Sequence, residues 1–276
     1  MRLLILLLYA VSVVNGSLDA RIVGGDAAQE GRFVYQVAVK YRNILTCGGS
    51  IINSRHILTA AHCIYRLDPK LFKVVVGTIY LNKGGETYLA EALLWPINYD
   101  EIKIVNDIGL IRLTKHIIFN SSIQPVILPS TYYVPEGETA VISGWGRLNK
   151  TGSSPVTLQE LSVVVISQSL CDRYYWELSK NSICTHTNKT IGVCFGDSGG
   201  PLVLNGVQIG VVSYGRPCAT GSPDVYTRVY PYTKWIQVML ESTECVQINA
   251  TNHIHINIWI VLSLTILTLV SYSNLL

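Results

Sequence analysis

Short apolar segments alternate with polar turns along most of the chain, from residue 22 to about residue 240. Val, Ile, Thr and Tyr dominate the apolar segments, and Gly, Pro, Asn and Ser separate them at fairly regular intervals, which is typical of short β-strands. The segments predicted as strands are 33–39, 49–52, 72–76, 108–113, 140–143, 161–166 and 208–213. Because no regular alternation of strands with helices is visible, we predict an all-β fold built as a sandwich or barrels.

One segment near the end of this region has a helical pattern instead. Between Pro231 and Leu240 the apolar residues recur at intervals of three and four, and proline is favoured in the first turn of a helix. We therefore predict one C-terminal helix over this segment. Residues 119–130, which are rich in Ser and Pro, are interpreted as the crossover between two halves of the strand-rich body.

Residues 1–16 do not fit the strand pattern. Arg2 is followed by an apolar run and by small residues near Gly16, which is typical of a secretory signal peptide. The apolar run is too short to span a membrane comfortably. We therefore expect the mature protein to be extracellular.

The C-terminal residues 246–276 are interpreted as a spacer and a hydrophobic tail. The apolar run 254–270 is not followed by a charged residue, whereas a membrane-spanning helix usually carries Lys or Arg on its cytoplasmic side. Small residues at 249–251 precede a short polar spacer, which is the pattern of a GPI attachment signal. We favour a GPI anchor and keep a membrane-spanning helix as the alternative. Both would hold the body at the outer cell surface.

Charge and cysteine content narrow the class further. The formal net charge is +3 and only 14% of residues are charged, without a cluster of Lys and Arg, so we expect no nucleic-acid partner. The seven cysteines are typical of an oxidising compartment. Four N-x-S/T sequons downstream of residue 17 point the same way and give the candidate glycosylation sites Asn120, Asn149, Asn188 and Asn249.

A candidate nucleophile, Ser198, lies in the segment GDSGGP. A serine hydroxyl becomes a useful nucleophile only beside a base, which is normally histidine. The pattern G-x-S-x-G around it also occurs in α/β-hydrolases, where the histidine follows the serine. Only His253 and His255 follow Ser198, and both precede the apolar tail, so an esterase or lipase of that fold is disfavoured.

Two upstream residues complete a possible catalytic set. His62 follows an apolar strand in LTAAHC, and Asp107 lies at the mouth of the apolar strand in VNDIGLIRL, where an unpaired aspartate would be costly. Taken singly, His62 is more simply a core histidine and Asp107 a turn-capping residue. Together with Ser198 they have the order His, Asp, Ser, which is one of the known orders of a catalytic triad.

The motifs RIVGG, TAAHC, NDIGL, GWG, GDSGGP and SYG occur in this order. With them the sequence resembles the chymotrypsin-like (trypsin-type) serine endopeptidases over residues 22 to about 240. The resemblance implies two packed six-stranded antiparallel β-barrels with a C-terminal helix and the active site in the cleft between them. It places a protease domain at 22–245, with the first barrel at about 22–122 and the second barrel and helix at about 123–245.

The resemblance also implies the role of each site residue. Ser198 attacks the scissile carbonyl, His62 takes the serine proton, and Asp107 orients the imidazole. The backbone N–H groups of Gly196 and Ser198 form the oxyanion hole. No cofactor or metal is implied.

Three disulfides follow from the same resemblance and leave Cys245 unpaired. They are Cys47–Cys63, Cys171–Cys184 and Cys194–Cys218. The loop that binds calcium in relatives corresponds to residues 77–86, which contain one acid, Glu86, so we predict no calcium site.

The segment RIVGG resembles an activation site. Residues 17–21 would then form a short propeptide, which an Arg-specific protease removes by cleaving after Arg21. The new amino group of Ile22 would pair with the buried carboxylate of Asp197 and order the oxyanion loop.

The expected cleavage preference depends on one ambiguous charge. Gly192 maps to the base of the pocket for the P1 side chain, where trypsin-like members carry Asp, and Gly215 leaves the entrance open. Val193 and Phe195 add apolar surface, so we predict cleavage after bulky apolar or aromatic residues, or a broad preference. Asp224 maps to the pocket wall and keeps acceptance of Lys and Arg as the alternative.

The implied partners are protein or peptide substrates and proteinaceous inhibitors. Ser213, Tyr214 and Gly215 match the strand that pairs with the substrate backbone. An inactive homologue that acts as a binding protein is the main rival function. Such proteins typically lose a triad residue, whereas this chain keeps all three.

Overall fold

The computed structural model describes residues 23–186, 188–216 and 218–242. The predicted signal peptide, Arg21, Ile22, Cys245, Asn249 and the apolar tail lie outside the described residues. Within the described ranges, no helix is both long and apolar enough to cross a membrane.

The first barrel is closed by six antiparallel strands in the order β2-β3-β4-β7-β6-β5. A short strand, β1 (Asp26–Ala27), precedes it. The barrel strands are β2 (Gln36–Tyr41), β3 (Ile44–Ile51), β4 (His56–Thr59), β5 (Phe72–Val76), β6 (Glu86–Leu94) and β7 (Gly109–Leu113). Residues alternate between the two faces of a strand, and Phe72, Val74 and Val76 of β5 are fully buried in the core.

The second barrel is formed in the same way by the last six strands. Its order is β9-β10-β13-β12-β11-β8, and the pairing of β8 with β9 closes it. The strands are β8 (Thr139–Gly144), β9 (Gln159–Ile166), β10 (Ser182–Thr185), β11 (Pro201–Leu204), β12 (Val207–Tyr214) and β13 (Asp224–Arg228). A single helical turn, α1 (Gln168–Cys171), lies between β9 and β10.

The first strand and the last helix of the described chain each pack on the barrel that is distant from them in sequence. β1 pairs with β9 of the second barrel, although the first barrel follows it in sequence. The C-terminal helix α2 (Thr233–Glu241) follows the second barrel but packs on the core of the first, where Ile236 is buried. These two exchanges tie the barrels together.

The predicted fold class is confirmed: the described chain forms two six-stranded antiparallel barrels with a C-terminal helix. The helix begins later than the apolar pattern predicts, because Pro231 belongs to a 3-10 turn, Tyr230–Tyr232, that precedes α2. Proline lacks the N–H that continues a helical ladder, so it fits this first, tighter turn.

Candidate active site

His62 is held in place by a short 3-10 turn, Ala61–Cys63, that directly follows β4. Cys63 in this turn is disulfide-bonded to Cys47 on β3. The two sulfurs and a ring nitrogen of His62 lie within 4.8 Å of one another. Because both sulfurs are bonded to each other, they anchor the imidazole and are not thiolate metal ligands.

Asp107 fixes the orientation and the tautomer of His62. Its side chain is fully buried, Oδ1 accepts the backbone N–H of His62 at 2.8 Å, and Oδ2 lies 2.8 Å from Nδ1 of the ring. A carboxylate only accepts hydrogen bonds, so Nδ1 carries the proton. In the neutral ring Nε2 then has a lone pair that can accept a proton. That is the form in which histidine acts as a base toward a serine hydroxyl.

Two hydroxyls from the second barrel also bind Asp107. Ser213 donates its hydroxyl to Oδ2 at 2.5 Å, and Thr227 donates to the backbone carbonyl at 2.7 Å. The register between β12 and β13 shifts between Val212 and Tyr214, which places Ser213 at a bulge. From the sequence, Ser213 was predicted only to belong to the strand that pairs with the substrate backbone. No sequence motif identified Thr227 as a partner of Asp107.

The loop that carries Ser198 packs directly against the His62 segment. The backbone N–H of Gly48 donates to the carbonyl of Ser198 at 2.8 Å. Gly199 has a φ of +77°, and a Cβ at this position would lie 2.2 Å from the hydroxyl oxygen of Thr59, three residues before His62. Glycine is therefore required for this close approach, which brings the loop of Ser198 to the segment that carries His62.

Ser198 and His62 thus lie on neighbouring segments, but their side chains are not hydrogen-bonded to each other. Within the described ranges, neither the Ser198 hydroxyl nor Nε2 of His62 makes a hydrogen bond. Catalytic hydrogen bonds are often long without substrate and tighten in the complex.

The backbone before Ser198 turns at Gly196, whose φ is +103°. A Cβ here would lie 3.2 Å from the Cα of Gly146, so the loop packs tightly on the GWG segment. The N–H groups of Gly196 and Ser198 donate to no other residue in the part of the chain that the structure describes. Two such adjacent donors can bind an oxyanion.

Asp197 is buried beneath this turn. Its Oδ1 accepts the N–H of Gly146 at 2.8 Å and its Oδ2 accepts the N–H of Cys194 at 3.0 Å. Burial raises its pKa to about 6, although the two hydrogen bonds favour the charged form. The carbonyl of Val23 accepts the N–H of Gly192, two residues before Cys194, at 3.2 Å.

The residues predicted to form the P1 pocket lie together. Asp224 is buried at the start of β13, and its Oδ2 accepts the N–H of Val193 at 2.8 Å. A Cβ on Gly215 would lie 3.0 Å from its Oδ1, so these two residues adjoin across the pocket wall. The hydroxyl of the buried Tyr226 lies 3.2 Å from Thr185 Oγ1.

Phe195, predicted to line the P1 pocket, is partly exposed, and two tyrosines contact each other beside the predicted pocket residues. The side chain of Phe195 is 48% exposed, and the guanidinium of Arg147 lies 5.8 Å from its ring centre. Tyr214 contacts the ring of Tyr175 edge-on at 5.6 Å, and Tyr175 donates its hydroxyl to the carbonyl of Pro223. The sequence analysis did not identify Arg147 or Tyr175.

The structure also describes the predicted disulfides, three of the candidate glycosylation sites and the acid of the loop that corresponds to the calcium loop. The three disulfides form in the implied pairs, Cys47–Cys63, Cys171–Cys184 and Cys194–Cys218. The three sequon asparagines within the described ranges, Asn120, Asn149 and Asn188, are exposed. Glu86 accepts a hydrogen bond from the hydroxyl of Tyr88 at 2.7 Å.

Comparison with known proteins shows the family of this chain. The Trypsin family profile matches residues 22–236. The chain is 46% identical to Chymotrypsin-2 of Vespa crabro over 216 residues, which cover 78% of this chain and 98% of that protein. It is 38% identical to Serine protease SP24D of Anopheles gambiae, over 80% of this chain and 82% of that protein. It is 35% identical to Trypsin alpha of Drosophila melanogaster, over 86% of this chain and 97% of that protein.

Proposed function

Because the chain belongs to the trypsin family of serine proteases, and is a serine endopeptidase by that membership, we propose that Ser198, His62 and Asp107 are its catalytic triad. The observation that carries this proposal is the doubly hydrogen-bonded pair of His62 and the fully buried Asp107. The serine loop packs against the same segment. Its substrates are proteins or peptides.

The proposed reaction proceeds through an acyl-enzyme. The hydroxyl oxygen of Ser198 attacks the scissile carbonyl carbon while Nε2 of His62 takes the hydroxyl proton. The C–N bond then breaks and Nε2 returns that proton to the leaving amine. A water molecule repeats the attack on the ester, again with His62 as base, and releases the acid and the free serine. Asp107 stabilises the imidazolium that forms in each half.

The oxyanion hole is proposed at the N–H groups of Gly196 and Ser198. The negative charge that develops on the carbonyl oxygen needs donors that are already oriented. The turn at Gly196 and its packing on Gly146 support such preorganisation. Each donor of this kind contributes on the order of a hundredfold to a thousandfold in rate.

Covalent labelling with diisopropyl fluorophosphonate tests the assignment. We expect one label on Ser198, none in Ser198→Ala, and a large loss of labelling in His62→Ala. Ser54 is a matched internal control, because its hydroxyl also lies 2.9 Å from a histidine, Nδ1 of His116. A label on Ser54, or unchanged labelling after Ser198→Ala, would contradict the proposed nucleophile.

We further propose that the protein is made as a precursor and activated by cleavage after Arg21. The buried carboxyl of Asp197 supports this, since a new ammonium group at Ile22 would give it a cation. The carbonyl of Val23 accepts the N–H of Gly192, which lies two residues before Cys194, a hydrogen-bond donor to that carboxyl. Trypsin treatment should increase labelling of Ser198, and an Arg21→Gln variant should not respond. Equal labelling of both before and after treatment would exclude the precursor.

For specificity, we propose a preference for bulky apolar or aromatic P1 residues, or a broad one. Gly192 puts no charge at the pocket base, and a relative named Chymotrypsin-2 supports this direction. Acceptance of Lys and Arg remains the second candidate because of the buried carboxyl of Asp224. A peptide-library digest of wild type and Asp224→Gly separates the two. Cleavage after Lys and Arg that is unchanged in the variant would remove Asp224 as the determinant.

The three disulfides fit an extracellular protein. We propose in addition that the signal peptide directs secretion, that the exposed sequons carry glycans, and that the apolar tail is a GPI signal. Release of the protein from cells by a phosphatidylinositol-specific phospholipase tests the anchor. Retention after this treatment would favour a spanning helix.

A further inference from the structure

The segment that leads into Asp107 has an unusual backbone. Ile104 has a φ of +51° and Asn106 has a φ of +58°, so both residues lie in the left-handed region. This region is uncommon for residues other than glycine, and a β-branched residue such as Ile104 is an outlier there. Such a conformation is unfavourable by itself and persists only where surrounding contacts hold it. The contacts of Asn106 therefore need a closer description.

The side chain of Asn106 is hydrogen-bonded at both amide atoms. Its Nδ2 donates to the backbone carbonyl of Asn98 at 2.8 Å, and a carbonyl only accepts, so Oδ1 is the amide oxygen. Oδ1 lies 2.7 Å from the hydroxyl of Tyr232, which must therefore donate its proton. The hydroxyl oxygen of Tyr232 in turn accepts from Nδ2 of Asn181 at 3.3 Å. The donor and the acceptor are thus defined at every step of this hydrogen-bonded chain.

The hydrogen-bonded chain connects three distant parts of the molecule. Asn106 lies between β6 and β7 of the first barrel, Tyr232 belongs to the 3-10 turn before α2, and Asn181 directly precedes β10 of the second barrel. Burial raises the pKa of Tyr232, the hydrogen bond with Asn181 acts in the opposite direction, and the charge of Asp107 raises the pKa further. The hydroxyl of Tyr232 therefore keeps its proton near neutral pH, and it lies within the field of Asp107.

The backbone of Asn106 also forms part of the turn that contains Asp107. Its carbonyl accepts the N–H of Ile108 at 2.9 Å, so Asp107 is the central residue of a three-residue turn. Asp107 is fully buried, and its two carboxylate oxygens bind the backbone N–H and Nδ1 of His62. A rotation of the backbone at Asn106 would therefore move this carboxylate relative to the imidazole.

We propose that Asn106 is a positioning residue of the active site and acts through Tyr232: their hydrogen bond holds the turn that directs the carboxylate of Asp107 to His62. This inference rests on the triad proposed above. Neither Asn106 nor Tyr232 needs to touch the substrate. Because Asp107 stabilises an imidazolium that forms only as the reaction proceeds, loss of this bond should lower kcat and leave KM nearly unchanged.

Kinetics of the trypsin-treated full-length protein test this role, with the peptide that the library digest shows to be cleaved fastest. Tyr232→Phe removes only the hydroxyl and should lower kcat roughly three- to tenfold, as expected for the loss of one hydrogen bond. Tyr88→Phe is the matched control. Tyr88 is also buried and donates its hydroxyl to Glu86 at 2.7 Å, on a strand of the first barrel, so this variant should keep the kcat of the wild type.

A double-variant cycle tests whether the two residues act together. Asn106→Gly permits the left-handed backbone but removes the side-chain bonds, so adding Tyr232→Phe to it should cause no further loss of kcat. Asn106→Ala also disfavours the left-handed backbone and should be slower than Asn106→Gly. Asn205, with a φ of +50° in the turn between β11 and β12, is the control for this backbone effect, and Asn205→Ala should not change kcat.

Three results would overturn the proposal: an unchanged kcat in Tyr232→Phe, a change confined to KM, or additive losses in the double variant. Asn106 is only half-buried, so Asn106→Gly should fold even if Tyr232→Phe does not, and an unchanged kcat in that variant would overturn the proposal as well. Asp107→Asn separates this inference from the triad. Full activity of Asp107→Asn would refute both, whereas a loss on the order of ten-thousandfold, together with normal kinetics of Tyr232→Phe, would refute the positioning role alone.

Discussion

Asp224 should make the cleavage preference of this protease depend on pH. Its carboxyl is almost fully buried beside Gly215, in the wall of the proposed P1 pocket. Burial raises its pKa to about 7, with a smaller contribution from the charge of Asp197, while the hydrogen bond from Val193 acts in the opposite direction. Below pH 7 the carboxyl is neutral and suits an apolar P1 side chain. Above pH 7 it is charged and attracts Lys or Arg.

The size of the effect follows from this pKa. For one proton and a pKa of about 7, the ionised fraction rises from roughly one in eleven at pH 6 to roughly ten in eleven at pH 8. The assay compares kcat/KM, which reports the free enzyme, for two peptides that differ only in Arg or Phe at P1. Every titration that both peptides require cancels in the ratio. The ratio of Arg to Phe should therefore rise at least about tenfold between pH 6 and pH 8, because the ionised fraction alone rises tenfold.

The matched control is Asp224→Asn, which keeps the size of the side chain and an acceptor for the N–H of Val193 but does not titrate. Its ratio should be independent of pH and no higher than that of the wild type at pH 6. A flat ratio in the wild type would refute the reasoning, and so would an equal rise in Asp224→Asn.

Three further predictions concern stability and rate. Burial raises the pKa of Asp197 to about 6, so the native protein binds this proton more tightly than the unfolded chain does. The free energy of unfolding of the uncleaved precursor should therefore fall by up to about 3 kcal/mol as pH rises from 4 to 8, as measured by urea unfolding. Gly199→Ala should cost at least about 2 kcal/mol, because a Cβ there meets a neighbouring oxygen at 2.2 Å, whereas Gly206→Ala, with open space around it, should cost about 1 kcal/mol. Ser213→Ala should lower kcat roughly tenfold with little change in KM, because it removes a hydrogen bond to Asp107.

Each of these has a distinct contrary outcome. An Asp197→Asn precursor with the same pH dependence as the wild type would show that another group titrates. Equal stability of Gly199→Ala and Gly206→Ala would mean that the contact with the His62 segment is easily relieved. A Ser213→Ala enzyme that loses affinity but not kcat would place Ser213 in substrate binding alone.

The strands that could be predicted from sequence are those whose polar and apolar positions match their burial. β5 spans residues 72–76 in both the prediction and the structure. By contrast, β13 has mainly polar residues and is buried along its whole length. Several of its polar groups have partners inside the protein: Thr227 donates to the carbonyl of Asp107, and Arg228 donates to the carbonyl of Ser182 at 3.2 Å. A hydropathy pattern does not predict the burial of polar residues whose hydrogen-bond partners come from distant segments.

In the candidate site, too, some features could be predicted from local sequence and others depend on packing. The order of the motifs was enough to select His62, Asp107 and Ser198, because each motif is local in the chain. The contacts of Asp107 with Ser213 and Thr227 are not local, since they span 106 and 120 residues. They depend on how the second barrel packs on the first, and no single segment encodes that packing.

The proposed active site therefore belongs to the interface rather than to either barrel. His62 and Asp107 lie on the first barrel, but the hydroxyls that complete the surroundings of Asp107 come from the second. Ser198 lies on the second barrel, and its carbonyl is held by Gly48 of the first. β1 and α2 each pack on the barrel that is distant in sequence, so a separation of the barrels would break their contacts as well. The contacts of Asp107 with Ser213 and Thr227, and of Ser198 with Gly48, thus both orient the proposed base and nucleophile and join the two barrels.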